Sequence, residues 1–273
     1  MTLGDPYRTA RLSTSGILAE IVQHKYEELD DLRSRAAVLE RQAYERKTPA
    51  RPFASALRKS APAIIAELKR ASPSAGVLRT DFHPAFLADA YEQGGAACLS
   101  VLTDKQYFEG SLLDLEAARA TSTLPVLRKD FIVDRLQIFE AAAHGADAIL
   151  LIAAILDIEQ LTSFRELALS LSLNSLVEIH NREELTKATD SGAEIIGVNN
   201  RDLETFEVSL DTSLRLSLCM PANVIRVSES GIYSRSEIEL LSGAGFDAFL
   251  VGEALLRSPD PAASLKALLK RTP

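Results

Sequence analysis

What this 273-residue chain lacks excludes several classes of protein. No apolar run approaches the roughly 20 residues a membrane-spanning helix needs. Met1 to Ser15 are polar and carry no apolar core of an export signal. The two cysteines, Cys98 and Cys219, lie far apart, so neither a disulfide framework nor a cysteine-held metal is indicated; Cys98, in an apolar segment, reads as a small buried hydrophobe. The four histidines, His24, His83, His144 and His180, are scattered without metal-ligand spacing. No G-x-G-x-x-G turn, no G-x-x-x-x-G-K-[ST] loop and no G-x-S-x-G elbow occurs. Basic charge is also short: 30 Lys and Arg face 38 Asp and Glu, for a net charge of −8. An acidic protein offers no attractive field to nucleic acid or to a membrane surface. These absences point to an intracellular protein of the reducing cytoplasm with a small-molecule partner, no nucleic acid, no membrane, and neither metal nor cofactor.

What is present is a repeat. Four segments share a helix-like stretch, a glycine and a short apolar run: Gly95–Ser100, Gly145–Leu150, Gly192–Gly197 and Gly245–Leu250. The glycine suits the left-handed position that ends a helix. The near-continuous apolar run suits a strand covered on both faces, as in an all-parallel sheet. Four further strands are expected at Ala63–Lys69, Pro125–Lys129, Ser175–Ile179 and Val224–Ser228. Eight strands alternating with helices, each about one strand-plus-helix unit from the next, predict an α/β fold, a closed (βα)8 TIM barrel. An open doubly wound sheet is the alternative, but it would normally carry a glycine-rich dinucleotide turn after the first strand. Residues 1–60 stand outside that count. Ile17, Leu18, Ile21, Val22, Leu29 and Leu32 recur at helical spacing, so this extension is expected to be an added helix packed on the barrel of residues 61–273, with the whole chain one domain and a monomer.

In such barrels the site lies at the C-terminal ends of the strands. Several of those ends carry charge: Glu67 and Lys69, two apart and hence on one face of the first strand; Lys129 on the third; Glu178 on the fifth; Asn199 and Arg201 after the sixth; Glu229 on the seventh. Each alone has a plain explanation as a surface ion pair. Together at one barrel mouth they suggest a site for charged substrate groups, because desolvated charges are costly unless paired. Ser230-Gly231 and Gly252, after strands seven and eight, suit a phosphate pocket, since glycine lets backbone N–H groups approach the oxygens. Glu253 is an unhelpful charge there and is expected to point away. His144, before Gly145, reads as a helix C-terminal cap; His180, two residues past Glu178, could face the site but reads first as a solvated loop histidine.

At these residues the chain resembles the indole-3-glycerol-phosphate synthases. The likeness rests on Glu67-Leu68-Lys69-Arg70-Ala71-Ser72-Pro73-Ser74, Leu99–Asp104 with Tyr107–Ser111, Leu127–Ile132, Val198–Leu203 and Ser228–Ile232, with Ile17–Val22 resembling the family's extra helix. The resemblance implies the substrate 1-(2-carboxyphenylamino)-1-deoxyribulose 5-phosphate, closed to indole-3-glycerol phosphate with loss of CO2 and water. It implies Lys129 as general acid for ring closure, and Lys69 as a second lysine for carboxylate binding or dehydration. It implies Glu178 as base in the later step, with Glu67 and Asn199 orienting the lysines and the leaving hydroxyl. Phe108, Phe131 and Leu150 match positions that hold the anthranilate ring. Ser72, Arg201, Glu229, Ser230, Gly231 and Gly252 match positions of the carboxylate, ribulose and phosphate region, Ser230 standing among the catalytic set.

Two positions depart from the pattern: Ala75 replaces a frequent loop lysine, and Glu253 a small hydroxyl residue. Two other readings stay open. A phosphoribosylanthranilate-isomerase-like barrel would use a Cys/Asp or Asp/Asp acid–base pair in place of two lysines with glutamates. A non-catalytic phosphosugar-binding barrel would be expected to lack Lys69, Lys129 or Glu178.

Overall fold

Strands built mostly of apolar or small residues can be covered on both faces, and here they are. The computed structural model describes residues 16–270. Its principal strands are β1 (Ala63–Leu68), β2 (Cys98–Leu102), β3 (Val126–Lys129), β4 (Ala148–Ile152), β5 (Asn174–Ile179), β6 (Ile195–Asn199), β7 (Ile225–Glu229) and β8 (Ala248–Val251). They hydrogen-bond in the order β1-β8-β7-β6-β5-β4-β3-β2 and close on themselves, every neighbouring pair parallel. The expected TIM barrel is present. All residues of β1, β2, β4, β6 and β8 are buried, which is why alternation is absent from their sequences.

Between the strands run α4 (Pro84–Gly94), α5 (Leu112–Thr121), α6 (Arg135–Ala143), α7 (Ile158–Ser170), α8 (Arg182–Asp190), α9 (Asp211–Ser217), α10 (Arg235–Gly243), the short α11 (Glu253–Leu256) and α12 (Pro261–Leu269). Local chemistry starts many of them. Asp134 and Asp157 form capping boxes with Gln137 and Gln160, and Ser111, Asn181 and Asp260 accept N–H bonds from the first turns of α5, α8 and α12. Each helix that precedes a repeat strand then ends at a left-handed glycine: Gly95, Gly145, Gly192 and Gly245 have φ of 95°, 88°, 78° and 92°.

The repeat also places two aspartates. Asp147 and Asp247, each two residues past its glycine, accept backbone N–H bonds from Val126 (2.9 Å) and Arg226 (2.8 Å) at the start of the preceding strand. Asp147 is fully buried. It also binds Arg46, the Arg51 N–H (2.7 Å) and Arg119. Asp147→Ala would strand these guanidinium groups at the base of the barrel. It is expected to cost about 3–5 kcal/mol of unfolding free energy, the usual effect of removing one partner from a buried ionic cluster. Urea denaturation checks this, and a loss below 1 kcal/mol would mean water replaces the carboxylate.

The extension differs from its expectation. In place of one added helix there are three: α1 (Gly16–Ser34), α2 (Ala36–Tyr44) and α3 (Phe53–Lys59). Leu18, Ile21, Val22, Leu29 and Leu32 of α1 are buried as their spacing predicts, while Ile17 is half-buried. Helix α2 packs on α6, and α3 packs against β1, β2 and β7 with Phe53 and Leu57 buried. Cys98, buried as expected, directs its Sγ at the Phe53 carbonyl 3.9 Å away. One buried charge fastens α1 to the other end of the barrel: Lys25 reaches Asp104 (2.8 Å) and Asp130 (3.1 Å), the latter also held by Arg128 (3.1 Å). Residues 1–15, expected to carry no export signal, lie outside the described residues.

Candidate active site

The strands lift their charged ends into one cleft. Glu67 lies within β1 and Lys69 just beyond it; Lys129 ends β3, Asn199 ends β6 and Glu229 ends β7, while Glu178 is one residue from the end of β5. Glu67, Glu178 and Glu229 are buried, and Lys69 and Lys129 are mostly so. Lys69 Nζ sits 2.5 Å from Glu67 Oε1, at the side of the cleft. Lys129 Nζ stands between two carboxyls, 3.2 Å from Glu178 Oε2 and 3.7 Å from Glu229 Oε2. Two glycines make room for this crowding. A Cβ at Gly197 would fall 2.1 Å from Glu229 Oε1, and one at Gly252 would fall 2.4 Å from Glu67 Oε1. Gly252, expected to serve phosphate, is therefore also needed for Glu67 to fit.

Three carboxyls around one lysine settle its protonation. Burial alone would lower the Lys129 pKa, but the charges of Glu178, Glu229 and Glu67 overcome it and hold the group as an ammonium above the ordinary lysine range. The carboxyls divide. Burial would raise Glu178, yet Lys129, His180 and a hydrogen bond from the Asn199 side chain bring it below its usual range. Glu229 is pushed well above its usual range by burial and by the negative charge of Glu178, against the pull of Lys129. Neither Glu229 oxygen accepts a hydrogen bond from a protein donor. One carboxyl beside Lys129 is thus ionised while its neighbour tends to keep a proton, a pairing suited to acid–base work.

The walls are apolar. The Phe108 and Phe131 rings lie 6.0 Å apart, tilted by 35°, and Leu150 lines the cleft with them. Ile17, Leu18 and Ile21 of α1 join this wall, so the extension builds part of the site. The rim of the last strands is polar. Ser230 and Gly231 are both left-handed, with φ of 67° and 75°, and a Cβ on Gly231 would fall 2.6 Å from Val208. Buried Asn200 holds this turn by donating to the Ser230 carbonyl (3.0 Å). Asn199 Oδ1 accepts from Ser230 Oγ (2.9 Å) and from the Arg201 N–H (3.0 Å), which turns its amide nitrogen toward Glu178. Glu253 pairs with Arg257 (2.8 Å) and borders the cleft. Ser72 accepts from the Ala75 N–H (3.2 Å) in a small antiparallel hairpin, Ala71–Ser72 with Gly76–Val77.

Every site residue expected from the sequence lines this one cleft. Sequence reasoning missed the apolar contributions of α1 and of Leu78, Ile152, Ile232 and Leu250, which carry no chemical signal of their own. It also preferred the solvated setting for His180, and the structure shows the site-facing one. That ring is largely buried, bound to Glu184 and facing Glu178, because Glu184, four residues on, turns it inward. His144 does end α6, while its ring bonds Glu116 on α5 (2.7 Å). Among the described residues no group of three or more His, Cys, Asp or Glu side chains could hold a metal ion. Among them, too, no helix is long and apolar enough to cross a membrane.

A closed parallel barrel whose C-terminal mouth sets acids and lysines beside an apolar wall defines a class of (βα)8 enzymes acting on small charged molecules. Within it, the chain belongs to the indole-3-glycerol phosphate synthase family, whose model matches residues 18–268. It is 48% identical to the indole-3-glycerol phosphate synthase of Polaromonas naphthalenivorans, over 93% of this chain and 98% of that protein. It is 49% identical to that of Albidiferax ferrireducens, over 92% and 97%. Among solved structures it is similar in fold to a 3-hexulose-6-phosphate synthase (TM-score 0.59, 17% identity, 76% of this chain and 97% of that one).

Proposed function

We propose that the chain converts 1-(2-carboxyphenylamino)-1-deoxyribulose 5-phosphate to indole-3-glycerol phosphate, CO2 and water. The observation that carries the residue roles is Lys129, a cation held between Glu178 and Glu229 beside the Phe108–Phe131 wall. With the anthranilate ring on that wall, Lys129 gives its proton to the ketone oxygen as the aromatic carbon attacks. Loss of the carboxylate as CO2 restores the aromatic ring. Glu178 takes a proton in the later step, and the hydroxyl leaves as water. Lys69, oriented by Glu67, binds the substrate carboxylate or assists dehydration; Asn199, aligned by Ser230, positions Glu178 and the departing hydroxyl. Arg201, Ser72 and the backbone at Gly231 and Gly252 take the ribulose and phosphate end. Burial here does not tune Lys129 toward neutrality; the carboxylates around it keep it charged, which suits a donor that must hold its proton until the ketone develops negative charge.

The chain is further proposed to work as one folded unit and a monomer in the cytoplasm, the extension contributing to both core and cleft. Sedimentation checks the monomer.

The chain contains no tryptophan, so indole fluorescence on mixing with substrate reports product without an indole background from the protein. A rise that persists in EDTA is expected. No rise from folded protein would sink the reading, and phosphoribosylanthranilate would be tried next.

A further inference from the structure

His180 lies one residue past β5, with 14% of its side chain exposed. Its Nδ1 is 3.0 Å from Glu184 Oε2, which also accepts the His180 backbone N–H at 2.8 Å. Glu184 is itself fixed: its Oε1 accepts from Asn181 Nδ2 (2.6 Å), and its N–H donates to Asn181 Oδ1 (2.9 Å) at the start of α8. A carboxylate at that distance makes Nδ1 a donor. The other nitrogen, Nε2, is buried, has no hydrogen-bond partner, and faces Glu178 Oε1 at 3.5 Å. A bare lone pair aimed at a carboxylate is repulsive, whereas a proton there is attracted, so the surroundings favour the imidazolium.

The two oxygens of Glu178 are therefore served by different cations, Oε2 by Lys129 and Oε1 by His180. We infer that His180 is a positioning residue for ring closure: anchored by Glu184, it holds the Glu178 carboxylate and supplies the positive charge that remains when Lys129 gives up its proton. This rests on the ring-closure reading. When the proton passes from Lys129 Nζ to the ketone oxygen, the amine left behind is neutral, and the ionised Glu178 would lose the cation that faces its Oε2. An imidazolium on its far oxygen removes that cost without touching substrate.

The neighbours agree. Burial would lower the His180 pKa, but the Glu184 hydrogen bond and the charges of Glu178, Glu184 and Glu229 raise it above its ordinary value. Asp202, beyond β6, adds a further negative charge within its field, while Lys129 on β3 is the cation across Glu178.

The test combines ring titration with kinetics on the full chain. By proton NMR, with the His180 resonance assigned by its loss in His180→Gln, the imidazole is expected to titrate above about 6.5. In Glu184→Gln, and separately in Glu178→Gln, that midpoint should fall as an adjacent anion is lost. His180→Gln keeps a neutral amide near Glu178 and removes the charge. It is expected to lower kcat about 10-fold with KM within about twofold, and to abolish whatever alkaline decline in kcat tracks the NMR midpoint. The limb of Lys129 lies at higher pH. Glu229 also has a raised pKa, so a decline at the imidazole midpoint that persists in His180→Gln belongs to Glu229 and overturns the inference. So does an imidazole midpoint at or below 6.5, or an unchanged kcat in a variant that melts like the wild type. Absence of turnover in the wild type sinks the ring-closure reading instead, which keeps the two failures distinct.

Discussion

Lys129→Met is expected to lower kcat by about 10²–10⁴-fold, the usual worth of a positioned general acid. Methionine approximates the length of the lysine stem and fills its place against the wall, so the change removes a charge and a proton rather than volume. What remains is Glu178 and Glu229 without the cation between them. Their response limits the damage to folding. Glu229 already tends to hold its proton, and a protonated carboxyl beside Glu178 can donate to it in place of Lys129. His180 stays on the other Glu178 oxygen. The variant is therefore expected to melt within a few degrees of the wild type and to bind product with affinity changed far less than turnover. Calorimetry, product titration and the fluorescence assay measure the three. Turnover within a factor of ten of the wild type would remove Lys129 from the acid role and pass it to Lys69.

Glu178→Gln should reduce kcat by about 10²-fold or more while moving KM much less, because a base acts in the transition state and not in the ground-state complex. It should also change the pH dependence. Glu178 is the carboxylate nearest Lys129 and the charge that does most to hold its ammonium form. Removing an anion destabilises a neighbouring cation, so the Lys129 pKa falls in the variant. The alkaline limb contributed by that lysine, beyond the ordinary range in the wild type, should move to lower pH. A rate-against-pH profile of the residual activity shows this. An effect confined to KM, with the limb unmoved, would make Glu178 a substrate-binding group only.

The local part of the fold could be read without coordinates. Gly95, Gly145, Gly192 and Gly245 end helices because a left-handed turn is a property of the residue and its neighbours, and the apolar runs after them are strands because nothing else buries both faces. Strand limits shifted where register with a neighbour decided them: the run expected over Gly95–Ser100 pairs as Cys98–Leu102 against β1 and β3. The candidate site was legible because charge at a strand end is costly and rare, so Glu67, Lys129, Glu178 and Glu229 stood out from their apolar strands.

Strand period, helix-ending glycines and charged strand ends are written along the chain, and from them come the barrel, the chemistry of its mouth and the family likeness. Packing sets the rest: which carboxylate faces which cation, that Glu229 tends to keep a proton while Glu178 ionises, that Lys129 is held charged, and that α1 walls the cleft. It also turns His180 inward to face Glu178. Each of these depends on distances between groups remote in sequence and on the water excluded between them. Coulomb energy and desolvation are set by those distances and by burial, and neither is a property of any residue alone.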